Sequence, residues 1–169
     1  MAKKVYGLKT ITIGPPAGDG GMGTVLTEIF GETVKGTATL TATPPETEEI
    51  EIEESDDLLD EIETKGRVWT LAASTYKVTK ETMKEFFGGT ITGNIWTPPV
   101  GGASVTVYRS VVVETRTGIK IGFVKMKLIG VPNLAFDKTK FGQIDWTAKV
   151  LKPDKAATPS MSWDFGVDA

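Results

Sequence analysis

Apolar and polar residues alternate with a period of two along most of the chain, the mark of half-buried strands. Leu8 to Ile13 alternates as a first strand and stops at Gly14-Pro15-Pro16, which opens a glycine-rich loop reaching Gly23. Val34 to Thr43 predicts a second strand, with Ala38, Leu40 and Ala42 on one face and Thr37, Thr39, Thr41 and Thr43 on the other. Pro44-Pro45 ends it, because proline cannot donate to a central ladder. Glu48 to Glu54 alternates again, setting Ile50 and Ile52 against Glu49, Glu51 and Glu53. From Ser55 to Gly66 the alternation fails, and the expectation is an acidic loop with a helical turn around Leu58-Leu59 and Ile62. Val68 to Tyr76 resumes as a strand.

One segment carries helix signals. Thr79 suits an N-cap, and Val78 with Met83 falls at the positions of a hydrophobic staple. Met83, Phe86 and Phe87 follow at i, i+3, i+4 spacing, and Gly88-Gly89 supplies the stop. Lys80 to Phe87 is therefore expected to be a short helix that depends on tertiary packing of Met83, Phe86 and Phe87. Thr90 to Trp96 is read as one strand. Val105 to Thr115 and Ile119 to Ile129 are read as two long strands joined at Thr117-Gly118, where glycine permits the positive φ of a hairpin turn. Gln143 to Leu151 is the last expected strand, and the proline-containing tail from Lys152 is expected to pack on another surface or stay loose. About eight strands with one short helix predict a mainly β fold, a sandwich or barrel.

At 169 residues the chain suits one domain, and 40% hydrophobic with 24% charged content is ordinary for a globular protein. Two lysines near the N-terminus are followed by no apolar stretch, and no run approaches a membrane span, so neither a signal peptide nor membrane insertion is expected. The sequence has neither histidine nor cysteine. A Ser-His-Asp hydrolase is excluded, a zinc enzyme is disfavoured, and no disulfide framework exists. No catalytic role and no cofactor are expected. The net charge of −3 conceals a segregation: 11 of the 22 acidic residues lie between Glu46 and Glu63, where no base occurs. The rest of the chain carries 11 acids against 19 bases, an excess of eight positive charges. Such asymmetry either solvates a loop or draws different faces of neighbouring subunits together.

Gly18-Asp19-Gly20-Gly21-Met22-Gly23 matches the G-x-G-x-x-G string. The dinucleotide fingerprint requires the third glycine to open a helix, whereas Thr24-Val25-Leu26-Thr27 is rich in β-branched residues, so a plain loop is expected. The acidic stretch lacks the spacing of a calcium loop, and crowding along the chain does not place two carboxylates across a cleft. Trp69 and Trp146 lie on expected strands and read as core residues rather than a sugar platform. Basic residues from Arg109 to Lys155 are not interleaved with aromatics, so they read as solvated or inter-subunit faces rather than a nucleic-acid groove.

The order of elements resembles the tail tube proteins of long-tailed phages and the inner-tube proteins of contractile injection machines. The resemblance is carried by a strand, a glycine-rich loop and two alternating strands around Pro44-Pro45. The strand at Trp69, the helix closed by Gly88-Gly89, the long hairpin at Gly118 and a final strand ending in Val150-Leu151-Lys152-Pro153 complete it. The resemblance implies a tail-tube-like β-sandwich domain over residues 1–153 with an N-terminal arm, a C-terminal tail over 154–169, and one flanking helix. It further implies hexameric rings whose strands join an inter-subunit inner barrel, stacked into a tube within the virion tail and assembled in the host cytoplasm. Partners would be other copies, other tail proteins, and DNA passing through the lumen without specific binding. A lumen lined by Glu49, Glu51 and Glu53 would repel that DNA. The rival readings are an inner tube of a contractile injection or secretion system and a monomeric carbohydrate- or protein-binding β-sandwich.

Overall fold

The computed structural model describes residues 4–52, 55–102 and 105–166, with the backbone alone for residues 51, 52 and 55–58. Its strands are β1 (Leu8–Gly14), β2 (Thr39–Thr43), β3 (Glu46–Ile52), β4 (Ser55–Lys65) and β5 (Val68–Thr75) before the helix α1 (Lys80–Phe87). After it come β6 (Thr90–Thr92), β7 (Ile95–Thr97), β8 (Val107–Thr115), β9 (Lys120–Asn133), β10 (Gln143–Val150) and β11 (Met161–Asp164). The fold is mainly β, antiparallel throughout, with one short helix, as the alternation predicts.

A seven-stranded sheet runs β1-β8-β9-β10-β5-β2, with β11 added beside the first half of β9. One face of it is apolar. Ile11, Ile13, Leu71, Val111, Phe123, Met126, Leu128, Ile144 and Trp146 all point into one core. The sheet curls around that core, and residues 27–34 link its two sides. Ile13 and Thr27 exchange backbone hydrogen bonds at 2.8 and 3.0 Å on the β1 side, while Val34 N–H donates to Ser74 at 2.8 Å on the β5 side. Phe30, midway along this link, is 1% exposed.

The helix covers the remaining opening. Thr79 caps it by accepting from Thr82 N–H at 3.2 Å, and Gly88, at φ 70°, donates back to Lys84 at 2.8 Å. Phe86 is 4% exposed and stacks on Phe30 with centroids 4.2 Å apart; Trp146 packs 5.5 Å from Phe30 and 6.2 Å from Phe86. Met83 and Phe87 are half-buried against the same core. Gly130 leaves the room the ring needs, since a Cβ there would lie 2.8 Å from Phe86. An ion pair between Glu85 and Arg109 ties the helix to β8.

Several elements differ from expectation. Residues 34–38 are not strand; Thr37 Oγ1 donates to Val34 O at 2.8 Å and turns the chain before β2 begins. The expected strand Thr90 to Trp96 is a hairpin, because Gly93 at φ 59° supplies the first central residue of a two-residue turn. The segment Ser55 to Gly66 is not a loop with a helical turn: Ser55–Lys65 is a strand paired with β3. Its charges sit on an extended, solvated backbone, where side chains three and four apart do not crowd as they would in a helix. Of the two expectations for the tail, packing holds rather than looseness, since β11 pairs Met161 to Asp164 with Phe123 to Lys120.

Phe86→Ala and Phe30→Ala should each lower stability by about 3–5 kcal/mol, because both rings are fully enclosed. The double variant should fall short of the sum, as the pair share one stack. Chemical denaturation of the four proteins checks this, and an unaltered midpoint for either single variant would show that the stack does not support the fold.

Candidate assembly surfaces

Three surfaces of the body and one projection stand out. The projection is the hairpin of β3 and β4, which forms its own two-stranded sheet and pairs with no strand of the main one. Pro44-Pro45 breaks the ladder after β2 and redirects the chain. At its base Lys65 Nζ meets Glu46 at 2.7 Å, and Thr64 Oγ1 donates to Glu46 O at 3.0 Å. Every described side chain from Glu46 to Gly66 is exposed.

Register assigns the two faces of this arm. Thr47 is opposite Glu63 and Glu49 opposite Glu61, so one face presents Glu49, Glu61 and Glu63 together. Glu48 is opposite Ile62 and Ile50 opposite Asp60, so the other face mixes two isoleucines with two acids. Alternation turns Ile50 and Ile52 toward a core with the glutamates outward, and for Ile50 this is corrected: it is 36% exposed, and Ile62 on the same face 50% exposed, because no layer of the body covers either face, while for Ile52 only the backbone is described. Glu49 is where alternation puts it, on the acidic face. For Glu51 only the backbone in β3 is described, and Glu53 lies outside the described residues.

The second surface is the outward face of β9 and β10. Along β9, Met126 and Leu128 turn inward while Lys127, Ile129 and Val131 turn out. Ile129 and Val131 are exposed, and Lys127 is directly opposite Lys149 of β10. Beside them Lys125 lies 4.8 Å over the Tyr108 ring and bonds Asp154 at 2.7 Å. Asp145, opposite Val131, accepts from Ser74 Oγ at 2.5 Å and Gln143 Nε2 at 2.7 Å. The Ser74 hydrogen bond, foremost, holds its carboxyl below the ordinary value of 3.8.

The third surface is a cleft of about 920 Å3 between β1 and residues 32–40, floored by Leu8, Leu40, Leu71 and Val113. There the outer edges of β1 and β2 face each other, each paired on one side only apart from the link at Ile13. The two longest strands of the sheet, β8 and β9, offer no comparable edge. Those strands lie in the middle of the sheet, paired on both sides from Val111 to Glu114 and from Lys120 to Phe123. The fourth is a groove of about 600 Å3 beside the helix, lined by Met83, Phe87, Trp96, Pro98 and Val105. Trp96 is held there by its indole N–H, which donates to Gly88 O at 2.8 Å.

The glycine-rich loop is structural. Asp19 accepts from Gly21 N–H at 2.9 Å and pairs with Lys155 at 2.7 Å, so the loop clasps the C-terminal segment. Gly23 packs so tightly that a Cβ would lie 2.3 Å from Pro15 O. No helix follows it. Trp146 is a core residue, whereas Trp69 is only half-buried. Among the described residues no group of three or more acidic side chains is placed to hold a metal, and no helix is long and apolar enough to cross a membrane. Sequence reading missed Phe30, whose isolated position in a loop gives no period, and the Lys127–Lys149 pair, which only the β9–β10 register reveals. A scan against models of known families finds no match, and a search of curated proteins finds no relative.

Asp145 predicts an acid limb of stability. Its folded-state value lies below that of an unfolded aspartate, so its contribution is present above about pH 4 and is lost as pH falls through the folded value. Asp145→Asn should flatten this limb below about pH 4. Denaturation midpoints across that range check it, and identical slopes would contradict it.

Proposed function

We propose that the protein is a structural subunit that works by self-assembly, forming rings stacked into a tube of the phage-tail kind. The observation that carries this reading is the β3–β4 arm. A lone two-stranded hairpin is marginal in water, yet this one extends over an eleven-residue strand with Ile50 and Ile62 exposed. An arm of that length with no cover from its own body is suited to contact another chain. Further apolar side chains lie bare outside the strands, with Val100 97%, Phe136 100% and Phe141 82% exposed. The open edges of β1 and β2 add backbone groups that a neighbouring strand can pair. Ring closure would satisfy such surfaces without leaving a growing edge.

Within that tube we assign the acidic face of the arm to the lumen. Glu49, Glu61 and Glu63 would repeat with each subunit and repel DNA, allowing it to slide. The groove beside Phe87 and Trp96 supports a second reading, a monomeric module that binds a sugar or an apolar peptide through aromatic side chains.

Sedimentation over a wide concentration range with electron microscopy separates the two. Rings or tubes are the expected result, and a persistent monomer that binds glycan or peptide in the groove would replace the first reading with the second. In assembled particles, changing Glu49, Glu61 and Glu63 to lysine should leave the fold intact while reducing genome delivery by roughly tenfold or more. Undiminished delivery would remove the lumen assignment and leave the tube standing.

A further inference from the structure

The other face of the arm has a matching surface on the body. Glu48, Ile50, Asp60 and Ile62 form a patch in which the two isoleucines sit diagonally across the hairpin, about 7 Å apart, with an acid beside each. On the outward face of β9, Ile129 and Val131 are two residues apart on one strand, a spacing of about 7 Å, and Lys127 with Lys149 stands next to them. A shallow depression of about 230 Å3 lies between Ile129, Val131, Ala72 and Thr147 and is open to receive an aliphatic side chain; Asp145 lines its end away from the lysines, four residues along β10 from Lys149, with its carboxylate hydrogen-bonded by Ser74 and Gln143.

The lysine pair is the informative feature. Like charges directly opposite on one face repel and destabilise the sheet that holds them. Among the described residues neither Lys127 nor Lys149 forms an ion pair, although Lys125 on the same strand does. The body carries 18 bases against 11 acids, an excess of seven positive charges, and the arm holds eleven acids within eighteen positions with Lys65 at its base. Each surface lacks what the other supplies.

We propose that the arm of one copy lies with its Ile50–Ile62 face across the Lys127–Lys149 face of a second copy. The contact rests on the assembly reading above and names the surfaces that make it. It is heterologous, arm to body, so each subunit both gives and receives, and the chain of contacts closes in a ring or continues along a tube. Glu48 and Asp60 would meet the lysines at the rim while Ile50 or Ile62 fills the depression. The opposite face of the arm, with Glu49, Glu61 and Glu63, remains uncovered.

The test exchanges charges between the surfaces. One variant carries Lys127→Glu with Lys149→Glu, the other Glu48→Lys with Asp60→Lys, and thermal unfolding verifies that each folds as the parent does. Each variant alone should assemble at least tenfold more weakly than the parent, by sedimentation at moderate salt. An equimolar mixture should recover assembly, because each reversed surface then finds its complement. If either variant alone assembles like the parent, or if the mixture fails to recover, the proposed contact is wrong, and the arm belongs to a different cationic partner. Should the parent itself never assemble at any concentration, the assembly reading fails as well, a result distinct from tubes that ignore the exchange.

Discussion

The stack of Phe30 on Phe86 beside Trp146 is the contact on which the architecture depends. Each ring comes from a different kind of element: Phe30 from the link between β1 and β2, Phe86 from the helix, and Trp146 from a central strand. A sheet of this size with one apolar face must curl or be covered, since leaving that face wet would forfeit roughly 25 cal/mol per Å2. The link at residues 27–34 draws the β1 and β5 sides together, and the helix seals what remains. Both rely on the same aromatic cluster. Gly130 belongs to the same arrangement, since its missing side chain is the space that Phe86 occupies.

Strands and helix were legible wherever the local pattern and the final environment agreed. Lys80–Phe87 was read to the residue because its cap, its spacing and its glycine stop are all local signals. The hairpin at Gly118 was legible for the same reason, with φ at 82° and Gly118 N–H donating to Thr115 at 3.1 Å. Where alternation had no burial behind it, reading failed. Ser55 to Lys65 pairs as a strand although neither face of the arm is covered, so its apolar residues have no reason to keep a strict period. Phe30 was invisible because a single aromatic in a loop looks the same whether buried or bare.

Edges tell a similar story. A long alternating run reads as a long edge only when its neighbours are unknown. Here the longest runs became the middle of the sheet, and the short threonine-rich β2 took the outside position. Its threonines reach across to β5, with Thr43 Oγ1 donating to Val68 O at 3.2 Å, but the outer backbone groups of β2 remain without a strand partner. Lys152 and its neighbours looked like a terminus, yet Leu151 N–H donates to Lys125 at 2.9 Å and the chain returns to β9 as β11. Pairing order is a long-range property that period and propensity do not carry.

Charge segregation constrains function more tightly than charge alone. Had the acids been spread over the surface, repulsion among them would be diluted and no direction of assembly would follow. Gathered on an arm that stands away from a basic body, they make two ends of opposite sign on one molecule. Identical molecules of that kind attract head to tail and repel head to head, which favours rings and filaments over two-fold dimers. The arm's two faces divide the work further. A face with isoleucines among its acids gains from contact with a partly apolar cationic surface, because burial and charge pairing act together there. A face of glutamates and threonine gains nothing from burial and loses solvation by it. The same hairpin therefore has one side suited to hold a neighbour and one side suited to stay wet, which is the arrangement a subunit needs if it is to build a wall around a charged passage.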